Sequence, residues 1–80
     1  MNKLKLKLAT PERVEYFYIP EDKGVPGEIA MNIGDDKADV ILRAENDNSA
    51  NHYGYAAADA VTKCVVVKKN LPLEFINAWG

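Results

Sequence analysis

Apolar and polar residues follow two different periods along this chain. From Lys3 to Leu8 they alternate strictly, Lys3, Lys5 and Lys7 against Leu4, Leu6 and Leu8. Period two predicts a strand with one dry and one wet face. Ala9–Arg13 holds Thr-Pro-Glu and reads as a turn. Val14–Ile19 is rich in aromatic and β-branched residues and predicts a second strand. Its Val14, Tyr16 and Tyr18 share one face. That face is placed inward, because Glu15 on the other would be costly to bury unpaired. Phe17 and Ile19 then lie outward beside the lysines and need a cover or a partner. The expected hairpin pairs are Leu8 with Val14, Leu6 with Tyr16 and Leu4 with Tyr18.

Pro20–Gly27, with its prolines, glycines and charges, is a loop. Glu28–Ile33 predicts a third strand, with Ile29, Met31 and Ile33 on one face. Gly34–Lys37 is a turn. Ala38–Ala44 predicts a fourth strand, with Ala38, Val40, Leu42 and Ala44 inward and Ile41 and Arg43 outward. A hairpin closed by that turn pairs Ile33 with Ala38, Met31 with Val40 and Ile29 with Leu42, apolar on apolar throughout.

From Ser49 to Leu71 the period lengthens. Tyr53, Ala57, Ala60, Cys64, Val67 and Leu71 recur at steps of three or four, the stripe of an amphipathic helix. The helix is expected to run from about Ser49 to Lys69, with Ala60 against the sheet and Ala58 on the opposite side. Ser49 or Asn48 is placed to cap its first amides. Asn70 is suited to a left-handed residue after the last turn, and Pro72 cannot continue the helix. Val65, Val66 and Val67 are stiff in a helix, so Val61–Lys68 is the segment where a strand competes. The absence of clean alternation there favours helix. Beyond Pro72, the residues Leu73, Phe75, Ile76 and Trp79 are too apolar to be left in water. The tail is expected to pack back on the outer sheet face or the end of the helix layer, burying Trp79.

The fold class that follows is α+β: a four-stranded antiparallel meander covered on one face by one C-terminal α-helix, then a short packed apolar tail. Residues 1–80 make a single domain. The apolar fraction of 48% is that of a globular chain, and the net charge of −2 argues against a general polyanion or anionic-membrane binder. One cysteine excludes an internal disulfide and fits a reducing cytosol. Lysines interrupt the N-terminal leucines, so no signal-peptide core forms there, and no run approaches the ~20 apolar residues of a membrane span. The expected setting is cytoplasmic.

Four short motifs carry a resemblance. They are Tyr16, Tyr18 and Pro20 at a strand end, the Ala-Glu-Asn-Asp run Ala44–Asp47, Tyr53 and Tyr55 at the helix start, and the terminal Ala78–Gly80. With these the chain resembles a group of small proteins from Gram-positive bacteria and their mobile elements. That group has no assigned activity, so the resemblance implies a bacterial cytoplasmic origin and no functional residue.

The search for chemistry returns little. His52 is the only histidine and has no second histidine or cysteine pair to make a metal site. Cys64 lies on the packing stripe and reads as a buried small hydrophobe. The two are twelve residues apart on one helix, about 18 Å by helix rise, and cannot act together. Asp35, Asp36 and Asp39, with Glu45 and Asp47, lack the spacing of a calcium loop and read as solvated turns. No catalytic residue, cofactor or metal is therefore assigned, and the chain is read as a non-enzyme. The candidate interaction surface is the outer sheet face: Lys3, Lys5, Lys7, Phe17, Ile19, Ile41 and Arg43. It fits a non-catalytic module that binds a protein or a second copy of itself, through this face or through the apolar tail. The alternative is nucleic-acid binding through Lys3, Lys5 and Lys7.

Overall fold

The structure is a computed structural model, and it describes residues 1–78. Its elements in order are β1 (Asn2–Ala9), β2 (Arg13–Pro20), β3 (Gly27–Asn32), β4 (Asp39–Leu42), α1 (His52–Thr62), a π-helical segment (Lys63–Lys68) and β5 (Glu74–Asn77). The class is α+β, with a sheet of five strands in the order β4-β3-β2-β1-β5, every neighbouring pair antiparallel. α1 leaves the β4 edge, lies across all five strands and returns the chain to the opposite edge.

The fifth strand corrects the expected tail. Lys3 pairs with Ile76, Leu4 with Phe75 and Lys5 with Glu74. The tail thus extends the sheet instead of covering a face. Its short Glu74-Phe75-Ile76 alternation is what allows this: Phe75 turns to the helix side and meets Tyr16 edge-to-face at 5.6 Å between ring centroids. The expected burial of Trp79 falls outside the described residues.

The core is the sheet face carrying Leu4, Val14, Tyr16, Tyr18, Ile29 and Met31, closed by Ala57, Ala58 and Val61 of the helix and by Ala38 and Ala44. The Tyr face of β2 points inward as expected. Two bulges alter the expected registers. Leu4 pairs with Tyr18 and Leu6 with Tyr16, but Leu8 then faces Glu15, so Lys7 is the extra residue. A one-residue slip sends a side chain to the other face, and Leu8 is exposed instead of buried. On β4, Ile29 pairs with Val40 and Glu28 with Leu42, which makes Ile41 the extra residue and leaves Leu42 exposed. The β3–β4 register is two residues away from the expected one. An even shift keeps Val40 on the inner side, so the hydrophobic pattern cannot distinguish the two. The longer connection is held on the helix by the Ala38 N–H, which donates to Thr62 Oγ1 at 2.9 Å, while the Thr62 hydroxyl donates to the Ala58 carbonyl at 2.8 Å. Ile33, beyond the end of β3, is exposed.

The helix starts later than expected and is rotated. Its first residue is His52, after Asn51 in a left-handed conformation. The buried positions are Gly54, Ala57, Ala58 and Val61, then Cys64. Ala60 is only half-buried and Val67 is exposed. Facing Val61 inward buries more apolar surface than facing Ala60, and the small Gly54 fits the close approach to β2 that Tyr53 would block. The valine run is helical, though wound wider than an α-helix. The Lys69 and Asn70 N–H groups both close on the Cys64 carbonyl, and Lys69, not Asn70, takes the left-handed position.

Candidate interaction surface

The outer sheet face is built by cross-strand rows. Ile76, Lys3 and Ile19 form one row; Glu74, Lys5, Phe17, Glu28 and Leu42 form the next. The structure therefore brings Lys3, Lys5, Lys7, Phe17 and Ile19 together on β1 and β2. It does not bring in Ile41, which is the bulge residue of the far edge strand β4. Arg43 lies beyond the end of β4 and is exposed.

Within the cluster the lysines have carboxylate neighbours. Lys7 Nζ is 2.6 Å from Glu28 and 3.6 Å from Glu15, and Glu15 also receives Arg13 Nε at 2.6 Å. Lys3 lies 3.8 Å from both Asp22 and Glu74, and Lys5 lies 4.0 Å from Glu74. The hydrogen bond to Glu28 raises the Lys7 pKa above its ordinary 10.5, and the one from Arg13 holds Glu15 below 4.5. The Lys7 ammonium also sits 5.4 Å from the Phe17 ring centroid, a cation–π distance. Phe17 is half-covered, and Ile19 and Ala30 are buried beneath this network. Part of the cover that Phe17 needed is the Lys7 side chain, and Ile19 is buried on the same face.

Asp47 is the residue that sequence reasoning underrated. Its Oδ1 accepts the Tyr53 N–H at 3.1 Å, and its Oδ2 accepts the Gly54 N–H at 2.9 Å and the Tyr18 hydroxyl at 2.8 Å. The Tyr18 oxygen in turn accepts the Ala44 N–H at 3.0 Å. Asn48 Oδ1 accepts the His52 N–H at 3.1 Å, and the Tyr55 N–H closes on the Asn51 carbonyl. All four opening amides of the helix are thus satisfied from within the chain, and Ser49 takes no part in the capping. The signal was an Asp-Asn pair four and five residues ahead of the first helical residue, a loop cap instead of an adjacent one. Burial pushes the Tyr18 phenol up to about 12. The backbone crowds this hub: a Cβ on Gly27 would strike the Tyr18 ring and lie 2.5 Å from the Ala44 nitrogen, and one on Gly54 would lie 3.0 Å from both the Tyr18 oxygen and Asp47 Oδ2. The hub is structural, joining β2 to the helix start.

His52 and Glu45 also have structural partners, and Cys64 is a core residue. His52 Nδ1 lies 3.3 Å from Asn48 Nδ2 on the exposed first turn. Cys64 is buried and burial raises its thiol pKa, which lowers its reactivity. Glu45 Oε2 accepts the Val25 N–H at 2.8 Å. Among the described residues no three His, Cys, Asp or Glu side chains converge as a metal site would need. Among the described residues no helix is long and apolar enough to cross a membrane.

A second surface emerges at the far end of the helix. Val67 is 72% exposed and Leu73 79%, with Val66 and Ile33 about half exposed. Ile33, Cys64, Val65, Lys69 and Leu71 line an open groove there of about 220 Å³. The Leu6 N–H donates to the Leu73 carbonyl at 2.9 Å, and the Tyr16 hydroxyl donates to the Pro72 carbonyl at 2.6 Å, so the connecting segment is fastened to the sheet, with Leu71 packed against the core and Leu73 left open.

No protein-family model, curated protein or solved structure matches this chain.

Proposed function

We propose that this chain is a small, non-catalytic protein-interaction module of a bacterial cytoplasm. Its contact surface is centred on the apolar end of the molecule, around the π-helical segment and Leu71–Leu73. The observation that carries the reading is the open groove lined by Ile33, Cys64, Val65, Lys69 and Leu71, with Val66, Val67 and Leu73 exposed in the same stretch of chain. Exposed large apolar side chains beside an open apolar groove are a common mark of a protein contact. The bacterial setting rests on the resemblance of the four short motifs.

The pairing on the outer sheet face weighs against the nucleic-acid alternative. Phosphate binding draws on the release of counterions from the nucleic acid by free lysines and arginines. Here Lys3, Lys5 and Lys7 have Asp22, Glu15, Glu28 and Glu74 within 4.0 Å. A single-stranded nucleic acid would have to displace those carboxylates or bring its phosphates close to them. Titration of labelled single-stranded RNA and DNA at low and high salt tests the choice. The expected outcome is weak or no binding. A submicromolar, salt-sensitive complex that disappears in the K3E/K5E/K7E variant would overturn this reading in favour of nucleic-acid binding.

A further inference from the structure

The sheet ends in two open edges, and they are built differently. On β4 the edge is broken by the bulge at Ile41, and the Ala38 N–H just before the strand is taken by Thr62. Devices of this kind blunt an edge against further pairing. β5 is the last strand on the other side, and it pairs with β1 in one unbroken register. One step beyond the Lys5–Glu74 pair, the Leu6 N–H bonds to the Leu73 carbonyl opposite it, which fixes the alternation of the ladder. Phe75 and Asn77 are then the residues that bond to β1, and the N–H and C=O groups of Glu74 and Ile76 point away from it. Among the described residues no backbone group of another segment bonds to them.

A cleft of about 190 Å³ runs beside this edge. Lys63 and Lys68 of the π-helical segment line it together with Phe75, Ile76 and Asn77 of β5. Asp59 also lines it, and its carboxylate is held by Lys63 at 3.1 Å. Lys68 joins no ion pair among the described residues, so the cleft keeps a net positive charge. A strand laid on β5 would meet two different faces. The residue opposite Ile76 has its side chain on the outer face, beside the exposed Ile76. Its neighbours fall opposite Phe75 and Asn77 and point to the helix face, where the two lysines are. We propose that the β5 edge is a docking site for an extended peptide segment in which acidic and apolar residues alternate, its backbone paired to Glu74 and Ile76 and its carboxylates toward Lys63 and Lys68. The open backbone groups select a strand, and the charge of the cleft selects carboxylates on one face of it. A second copy's β5 is a poorer fit. Paired antiparallel, it puts both helices on one face of the joined sheet and brings the lysines of the two clefts toward each other. The site is separate from the groove lined by Ile33 and Leu71 and does not depend on the reading of that groove.

Fluorescence anisotropy with a short labelled peptide of alternating glutamate and valine, titrated with the full chain, provides the test. Saturable binding is expected, weakening as salt rises and falling by about tenfold or more in K63E/K68E. Methylating the backbone nitrogens of the valines, which face β5, should abolish binding, and methylating those of the glutamates should not. Ile76→Pro removes an outward N–H and no bond to β1, so the fold should survive while binding is lost. In hydrogen exchange the Glu74 and Ile76 amides should be fast in the free chain and slow once peptide is added, whereas Phe75 and Asn77 are slower from the start. Should a variant fail to fold, the methylated peptides and the exchange pattern of the wild type decide. No binding at millimolar peptide, or equal binding of a lysine–valine peptide, overturns the proposal. So does protection centred elsewhere. Protection of Ile76 that grows with protein concentration alone places a second copy at the edge and overturns the peptide. Each of these results leaves the groove standing, so the two readings fail separately.

Discussion

Changing Asp47 to Ala should be among the most damaging single substitutions outside the apolar core. The side chain accepts two opening helix amides, from Tyr53 and Gly54, and the hydroxyl of the fully buried Tyr18. Loss of a helix cap costs about 1 kcal/mol. Leaving buried donors without an acceptor adds about 1–3 kcal/mol. Together they give about 3 kcal/mol, from a total stability that for 80 residues is about 4–12 kcal/mol. In urea, with a slope of roughly 1–1.5 kcal/mol/M for a domain of this size, the midpoint should fall by about 2 M without a change of slope. Tyr18→Phe removes the other end of the hydrogen bond and strands the Ala44 N–H instead. If the two groups act as one hub, the double variant should lose less than the two single losses added, with a coupling of about 1 kcal/mol. A loss below about 0.5 kcal/mol for Asp47→Ala, the range of an ordinary surface change, would refute the argument. So would strict additivity with Tyr18→Phe.

Other outcomes follow from the same geometry. Ala58→Asp should destabilise far more than Ala60→Asp, because Ala58 is buried against the sheet and Ala60 is not; thermal melts of the two check it, and the reverse order would mean that the helix is rotated. Gly27→Ala should cost about 1–3 kcal/mol or more, since its new methyl group meets backbone at Ala44 and Leu42 that cannot yield, whereas Gly54→Ala should cost less because the gain in helix propensity offsets part of its tighter contact. In a near-ultraviolet alkaline titration, Tyr16 and Tyr18 should ionise late, near 12, because burial disfavours the phenolate. The unfolded chain ionises these phenols near 10, so stability falls as pH rises between those values. At the acid end, the Arg13 hydrogen bond holds Glu15 below 4.5. The stability this contributes is complete above 4.5 and is lost as pH falls through the lowered value; Glu15→Gln should flatten that limb of a pH–stability curve.

Strict alternation at Lys3–Leu8 and the Tyr face of Val14–Ile19 were enough to read the first hairpin, its inward face and the Leu4–Tyr18 and Leu6–Tyr16 pairs, because burying one side of a strand admits only one face. The same logic could not see the bulges at Lys7 and Ile41. A bulge is decided by what the extra residue reaches, and Lys7 reaches Glu28 on a strand two places away. Nor could it choose between β3–β4 registers that differ by two residues, since both keep the same faces; the contact of Ala38 with Thr62 belongs to the helix above. The helix was legible from its period, but its rotation turned on a glycine fitting beneath Tyr18 and on Val61 outweighing Ala60, both facts of packing. The outer face shows the limit most plainly. Read along the chain, Glu15 already shared the face with the three lysines, Phe17 and Ile19, but which lysine meets which carboxylate, with Asp22 and Glu74 among them, depends on strands brought together from positions 15, 22, 28 and 74. Periodicity reports which side of an element is dry, and only the folded sheet decides which charges meet across it.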